Sequence, residues 1–254
     1  MSVAELIQQM AKYRDQHGVI VQANGDGGDS CNRLAHYYAA LEILGAPQDD
    51  LNRPPYDGFH ISLARLTALL PFGRFRRNPD SSKWYNDPDN VTRDQMSPMI
   101  AAMALLGTDR TLAAHVKRRL KRCMLHFSTH DQVEGQPGKV KLKLPDLPSP
   151  QELASIVRGL SVTWLYWTLP LLDALLLWEV KRCNADRIRE GQVLLHLAVA
   201  LKLQPSNSAR KAAELLEKKQ EDLTIGLRRY YSEDISRNGI RPLGELMVAV
   251  LKAI

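Results

Sequence analysis

Two clusters of carboxylates stand where the sequence reads as helix mouths. The first lies in "QANGDGGDSCNR", residues 22–33, where Asp26 and Asp29 share a turn with Gly25, Gly27 and Gly28. Glycine opens backbone conformations closed to other residues. Asp29 or Ser30 suits the N-cap of the following helix, where the dipole favours negative charge. A cap uses one carboxylate, which leaves Asp26 and, one turn on, Arg33 for a ligand or a reaction. A P-loop is excluded, because its Lys and Ser/Thr are missing and two aspartates oppose a phosphate. The second cluster is "DPDNVTRDQMSP", residues 87–98, with Arg93 and Asp94 in the first turn of a helix. Thr92 can cap that helix, and Gln95 sits at the matching capping-box position.

Two carboxylates in unlike environments are the equipment for general acid/base chemistry at a glycosidic bond. Asp29 and Asp94 are therefore the candidate catalytic pair, with Asp26 as an orienting or tuning group. The polar stretch between the clusters holds Trp84 and Tyr85, suited to stacking on a sugar ring. It also holds Arg76 and Arg77, suited to hydroxyls or carboxylates; Arg33 and Arg93 are candidates for the same task. No His or Cys pair has metal-ligand spacing, and "DPDN" lacks the glycine and terminal Glu of a calcium loop. No cofactor is expected, apart from magnesium under one alternative: a magnesium-dependent hydrolase with Asp26, Asp29 and Asp94 as oxygen ligands.

These groups need helices to position them, and helical periodicity dominates the chain. Helices are expected over 2–16, 30–44, 95–106, 109–126, 150–167, 169–184, 187–203, 206–219, 221–231 and 242–253. Residues 46–92 are rich in Pro, Asp and Asn, and read as one long ordered loop with a small β-hairpin between "GRFRR" and "KWY". "KVKLKLP" alternates Lys with Val or Leu and reads as an exposed strand. The expected fold is mainly α, a single helical domain over 1–254 built of antiparallel helix pairs. "GDSCNRLAHYYAALEILG" and "RDQMSPMIAAMALLG" echo one another: an Asp at the mouth, then two alanines, then a Leu-Gly stop. Such an echo predicts an α/α hairpin stack or partial toroid with its mouths on one face.

The pairing of "GDSCNR" with "VTRDQMSP", separated by a Trp-containing polar loop, resembles the inner helix mouths of (α/α)-toroid carbohydrate-active enzymes. The likeness covers the first 110 residues and rests on short motifs. It implies a glycoside hydrolase or lyase acting on a carbohydrate-like substrate.

The net charge is +6, and five of the cations fall in "HVKRRLKRC": Lys117, Arg118, Arg119, Lys121 and Arg122. Without them about +1 would remain, so the basicity is a patch and not a whole-surface field. The patch supports an alternative, a non-enzymatic helical protein binding an acidic partner or nucleic acid through helix 115–122. Three widely spaced cysteines, Cys31, Cys123 and Cys183, give neither a disulfide framework nor a metal site. The first residues read as an amphipathic helix and not a secretory leader, so a reducing, cytoplasmic setting is expected. "GLSVTWLYWTLPLLDALLLW", residues 159–178, has the length of a membrane span. Asp173 and Pro170 inside it argue instead for a buried helix of a soluble core, with Asp173 paired to Arg33 or Arg93.

Overall fold

A computed structural model describes residues 1–15, 18–21, 30–67, 93–106, 130–132, 140–142, 148–184, 190–232 and 239–254. Described residues are overwhelmingly helical, so the fold is mainly α. Helix α1 (Val3–Met10) opens with a capping box between Ser2 and Glu5 and continues as one 3₁₀ turn, Ala11–Tyr13. It stops short of residue 16 because Arg14 turns extended and bridges to Ile20.

Helices α2 (Ser30–Ile43) and α4 (Arg93–Leu106) are the echoing pair. Every residue from Ser30 to Leu41 and from Gln95 to Leu106 is buried. A helix buried on all sides belongs to the centre of a core. The paired alanines, Ala39 with Ala40 and Ala101 with Ala102, are fully enclosed, and α2 packs directly on α4. Small residues let helix backbones approach closely, which explains the shared alanines of the two motifs.

Between them, the stretch read as loop contains a helix, α3 (Pro55–Thr67). Its signal is a Pro at the first helical position, where the missing N–H costs nothing. Phe59, Leu63 and Leu66 follow at helical spacing, and all three are buried. The dense Pro and Asp before it hide this pattern in the sequence. The strand reading of "KVKLKLP" holds for β2 (Val140–Leu142), which pairs antiparallel with β1 (His130–Gln132). The expected hairpin within 72–91 and the basic helix 109–126 lie outside the described residues.

The C-terminal half runs α5 (Pro150–Gly159), a 3₁₀ segment (Thr163–Thr168), α6 (Leu169–Arg182), α7 (Glu190–Leu203), α8 (Asn207–Lys218), α9 (Gln220–Tyr230) and α10 (Arg241–Ala253). The segment 159–178 is thus not one buried helix. Ser161 takes a left-handed φ of 54° just after Gly159, and Pro170 sits at the start of α6, so the helix must restart. The inner face of α6 buries Leu169, Asp173, Leu176 and Val180, while its outer face is exposed. No helix among the described residues is long and apolar enough to cross a membrane.

Cross-helix bonds fix the directions of the central helices. The Asn32 amide meets Gln95, each the third residue of its helix, so α2 and α4 start side by side. Lys202 pairs with Glu42, joining the last turns of α7 and α2. Arg158, near the end of α5, donates to the Gln204 carbonyl just past α7. Helices α2, α4, α5 and α7 therefore open toward one end of the molecule. Return helices pack outside: α6 on α5 and α8 on α7. Lys219, past the end of α8, caps three carbonyls at the end of α6, those of Val180, Lys181 and Cys183. Helices α9 and α10 form a hairpin in which Arg228 pairs with Glu245.

Candidate functional site at the helix mouths

The mouths of α2 and α4 meet in a buried polar layer. Ser30, Asn32 and Arg33 come from the first turn of α2, Gln95 from that of α4, and all four are nearly inaccessible. The Asn32 N–H donates to Gln95 Oε1 at 3.2 Å. The carbonyl oxygen read from the sequence as a local capping group thus ties the two mouths together. Arg33 is only 1% exposed, so a full positive charge is held inside the protein, close enough to Tyr231 to act on its phenol. Two parallel helix N-termini add about half a positive charge each.

One tier deeper, four helices meet around two histidines. The His36 Nδ1–H donates to the Asn32 carbonyl at 2.8 Å. The His196 ring, from α7, bridges the Ser97 hydroxyl of α4 at 2.9 Å and the Ser155 hydroxyl of α5 at 2.7 Å. Burial pushes the His36 pKa down to about 4, against a partial rescue by the Asn32 carbonyl. His196 is pushed down to about 3, by burial first and then by repulsion from His36. Both rings are therefore neutral at pH 7. Close packing is required here: a Cβ added to Gly191 of α7 would stand 3.0 Å from His36 Nε2. Ser97 and His196 have the spacing of a nucleophile and its base. Yet they are 2% and 1% exposed, and Ser155 rather than a carboxylate holds the second nitrogen. The triad pins three helices together and gives a substrate no access.

A second polar network clamps the connection after α2. Arg14 grips Asp50 through Nε at 2.9 Å and Nη2 at 2.6 Å, and donates to the Gly18 carbonyl at 2.7 Å. Tyr37 donates to Asp50 Oδ1 at 2.8 Å, and Tyr38 to Asp49 Oδ2 at 3.0 Å. Arg53 closes the network on Asp49 at 2.7 Å. Burial works against the Asp50 charge, but the Arg14 bonds outweigh it and hold its pKa below the ordinary value. Every member has partners, as a structural clamp requires. A third buried pair joins Arg158 to Asp173 at 2.9 and 2.6 Å. Asp173 is paired, as expected for a buried acid, but with Arg158 and not Arg33 or Arg93.

Of the residues singled out from the sequence, the structure places Arg33 at the paired mouths. Asp94 and Arg93 belong to the first turn of α4, with side chains outside the described residues. Asp29 directly precedes α2; it and Asp26, Arg76, Arg77, Trp84 and Tyr85 lie outside the description, as do Lys117, Arg118, Arg119, Lys121 and Arg122. Among the described residues no three His, Cys, Asp or Glu side chains converge as a metal site would need. Cys31 and Cys183 are buried and form no disulfide among the described residues. Sequence reasoning missed His196 and Ser155. The signal was a lone polar residue in each of two apolar runs, "VLLHLAVAL" and "LASIV".

No protein-family model matches the chain, nor does any curated protein or solved structure.

Proposed function

We propose that the chain is an enzyme that works on a polar, carbohydrate-like substrate with two carboxylates, Asp29 and Asp94. The observation that supports this is the Asn32–Gln95 hydrogen bond at 3.2 Å. Asp29 stands three residues before Asn32, and Asp94 directly before Gln95. The two chains thus enter their helices side by side, at one level. Paired N-terminal dipoles favour an ionised carboxylate there. Acid/base work at a glycosidic bond would divide the pair into one ionised base and one protonated acid. In this reading Asp26 orients the pair, Arg93 holds substrate, Arg33 is too deeply buried to touch it, and the segment with Arg76, Arg77, Trp84 and Tyr85 supplies stacking and hydrogen bonds.

The test is turnover on a panel of neutral and uronic oligosaccharides, with wild type beside Asp29→Asn and Asp94→Asn. Each variant should lose about 10²–10⁴-fold in rate. Its thermal midpoint should hold or rise, because crowded functional carboxylates strain a fold. Turnover that survives both substitutions, or lower midpoints with no turnover by wild type, would reduce the pair to helix caps. Thermal stabilisation by millimolar magnesium alone, lost in both variants, would favour the magnesium-dependent hydrolase instead.

A further inference from the structure

Helix α6 has two apolar faces and buries only one. Leu169, Asp173, Leu176 and Val180 face the core. On the opposite side, Trp164 and Trp167 of the 3₁₀ segment are 73% and 77% exposed, and Leu171, Leu175 and Trp178 are 68%, 39% and 49% exposed. Three of the chain's four tryptophans thus stand on one ridge. In a 3₁₀ segment residues three apart eclipse, so Trp164 and Trp167 share a face. From Trp164 to Trp178 the ridge runs about 20 Å. Helices that are apolar all round are covered in a finished structure. Among the described residues nothing covers this side.

We propose that the cover is a second copy of this chain, bound through the same ridge about a two-fold axis. Three observations carry this. Leu171, Leu175 and Trp178 stand at i, i+4 and i+7 of α6, one stripe of an α-helix. With about 250 Å² for a whole tryptophan, the ridge offers roughly 650 Å² per copy, close to the ~800 Å² per partner of a stable complex. And an antiparallel pair is self-complementary: Leu171 and Leu175 meet near the axis, while Trp164 and Trp167 meet Trp178 of the other copy. The Arg182 guanidinium, 4.3 Å over the Trp178 ring, is placed to receive that second aromatic.

Other covers fit less well. A sugar platform would need hydrogen-bonding groups between its aromatics, and here the intervening groups are leucines. An anionic bilayer would need a basic rim. The ridge is basic only at its last turn, Lys181 and Arg182, and beside it on α8 the exposed cations Arg210, Lys211 and Lys218 are interleaved with Glu214 and Glu217.

Sedimentation velocity of the full chain from 1 to 100 μM decides the matter. The wild type should form a dimer, and its tryptophan emission should shift to the blue as it does. Leu171→Glu, which brings two carboxylates to the axis, and Trp178→Gln should each weaken the dimer by 100-fold or more. Their far-UV circular dichroism should stay unchanged, since both positions are exposed. Arg210→Glu, off the ridge, should leave the dimer intact. A wild type that is monomeric at 100 μM overturns the proposal, as does a dimer indifferent to both ridge substitutions. A monomer that co-floats with anionic vesicles overturns it in favour of a lipid surface.

Discussion

His36 and His196 make the fold acid-sensitive well above the range of its carboxylates. Each is neutral when folded, with pKa values of about 4 and about 3, against an ordinary 6.5 once unfolded. Below pH 6.5 the unfolded chain takes up protons that the folded chain refuses, so stability falls with pH. The slope is about 1.4 kcal/mol per pH unit per histidine until the folded value is reached. Denaturant midpoints should be flat from pH 8 to 7 and then drop steeply toward pH 4. His196→Gln should abolish about half of that slope, at the cost of a lower midpoint at pH 7. Asp50 acts lower down. Its folded pKa lies under the ordinary 3.8, so its contribution is complete above that value and is lost as pH falls beneath it. Asp50→Asn leaves Arg14 buried without its counter-charge and should cost about 3–5 kcal/mol at pH 7, read by denaturant titration. The sequence announces neither network. A histidine inside "VLLHLAVAL" shows that something polar is buried, but its partners, Ser97 and Ser155, stand on other helices far along the chain.

At the scale of elements, periodicity carried most of the information and punctuation misled. The alanine-leucine echo of α2 and α4 was legible, and the two helices start side by side at the Asn32–Gln95 bond. Helix α3 was hidden because turn-forming residues crowd its entrance. The stretch 159–178 looked continuous because hydropathy does not register a change of backbone direction. That change rests on Ser161, whose left-handed φ of 54° is unfavourable for a residue with a Cβ. Ser161→Gly should raise stability by up to about 1 kcal/mol, measured as a shift in chemical-denaturation midpoint with unchanged slope. The reverse holds at Gly58 in α3. A Cβ there would stand 2.5 Å from Asp49 Oδ2 and 2.6 Å from Tyr38 Cε1. Gly58→Ala should destabilise by about 1–3 kcal/mol through overpacking, and should loosen the Asp49–Arg53 clamp with it.

For the whole molecule, the layering predicts an order of opening. Amides of α2, α4 and α7, buried on every side, should exchange with deuterium only through global unfolding; those of α1 and α9 should exchange earlier. The mainly α class was plain from composition and period. The contact of Asn32 with Gln95 was not, because a cross-helix bond depends on the route of the intervening chain. The same layering gives the buried Ser97–His196–Ser155 bridge a sense of direction. A neutral imidazole donates from one nitrogen and accepts at the other. One serine must then give its proton to the ring while the other receives the ring's. Moving the ring proton across reverses both hydroxyls at once, with no heavy atom displaced. Three helices therefore share one proton order, and replacing either serine by alanine would uncouple the other from it. Nitrogen-15 shifts of the His196 ring would report which of the two orders the protein keeps.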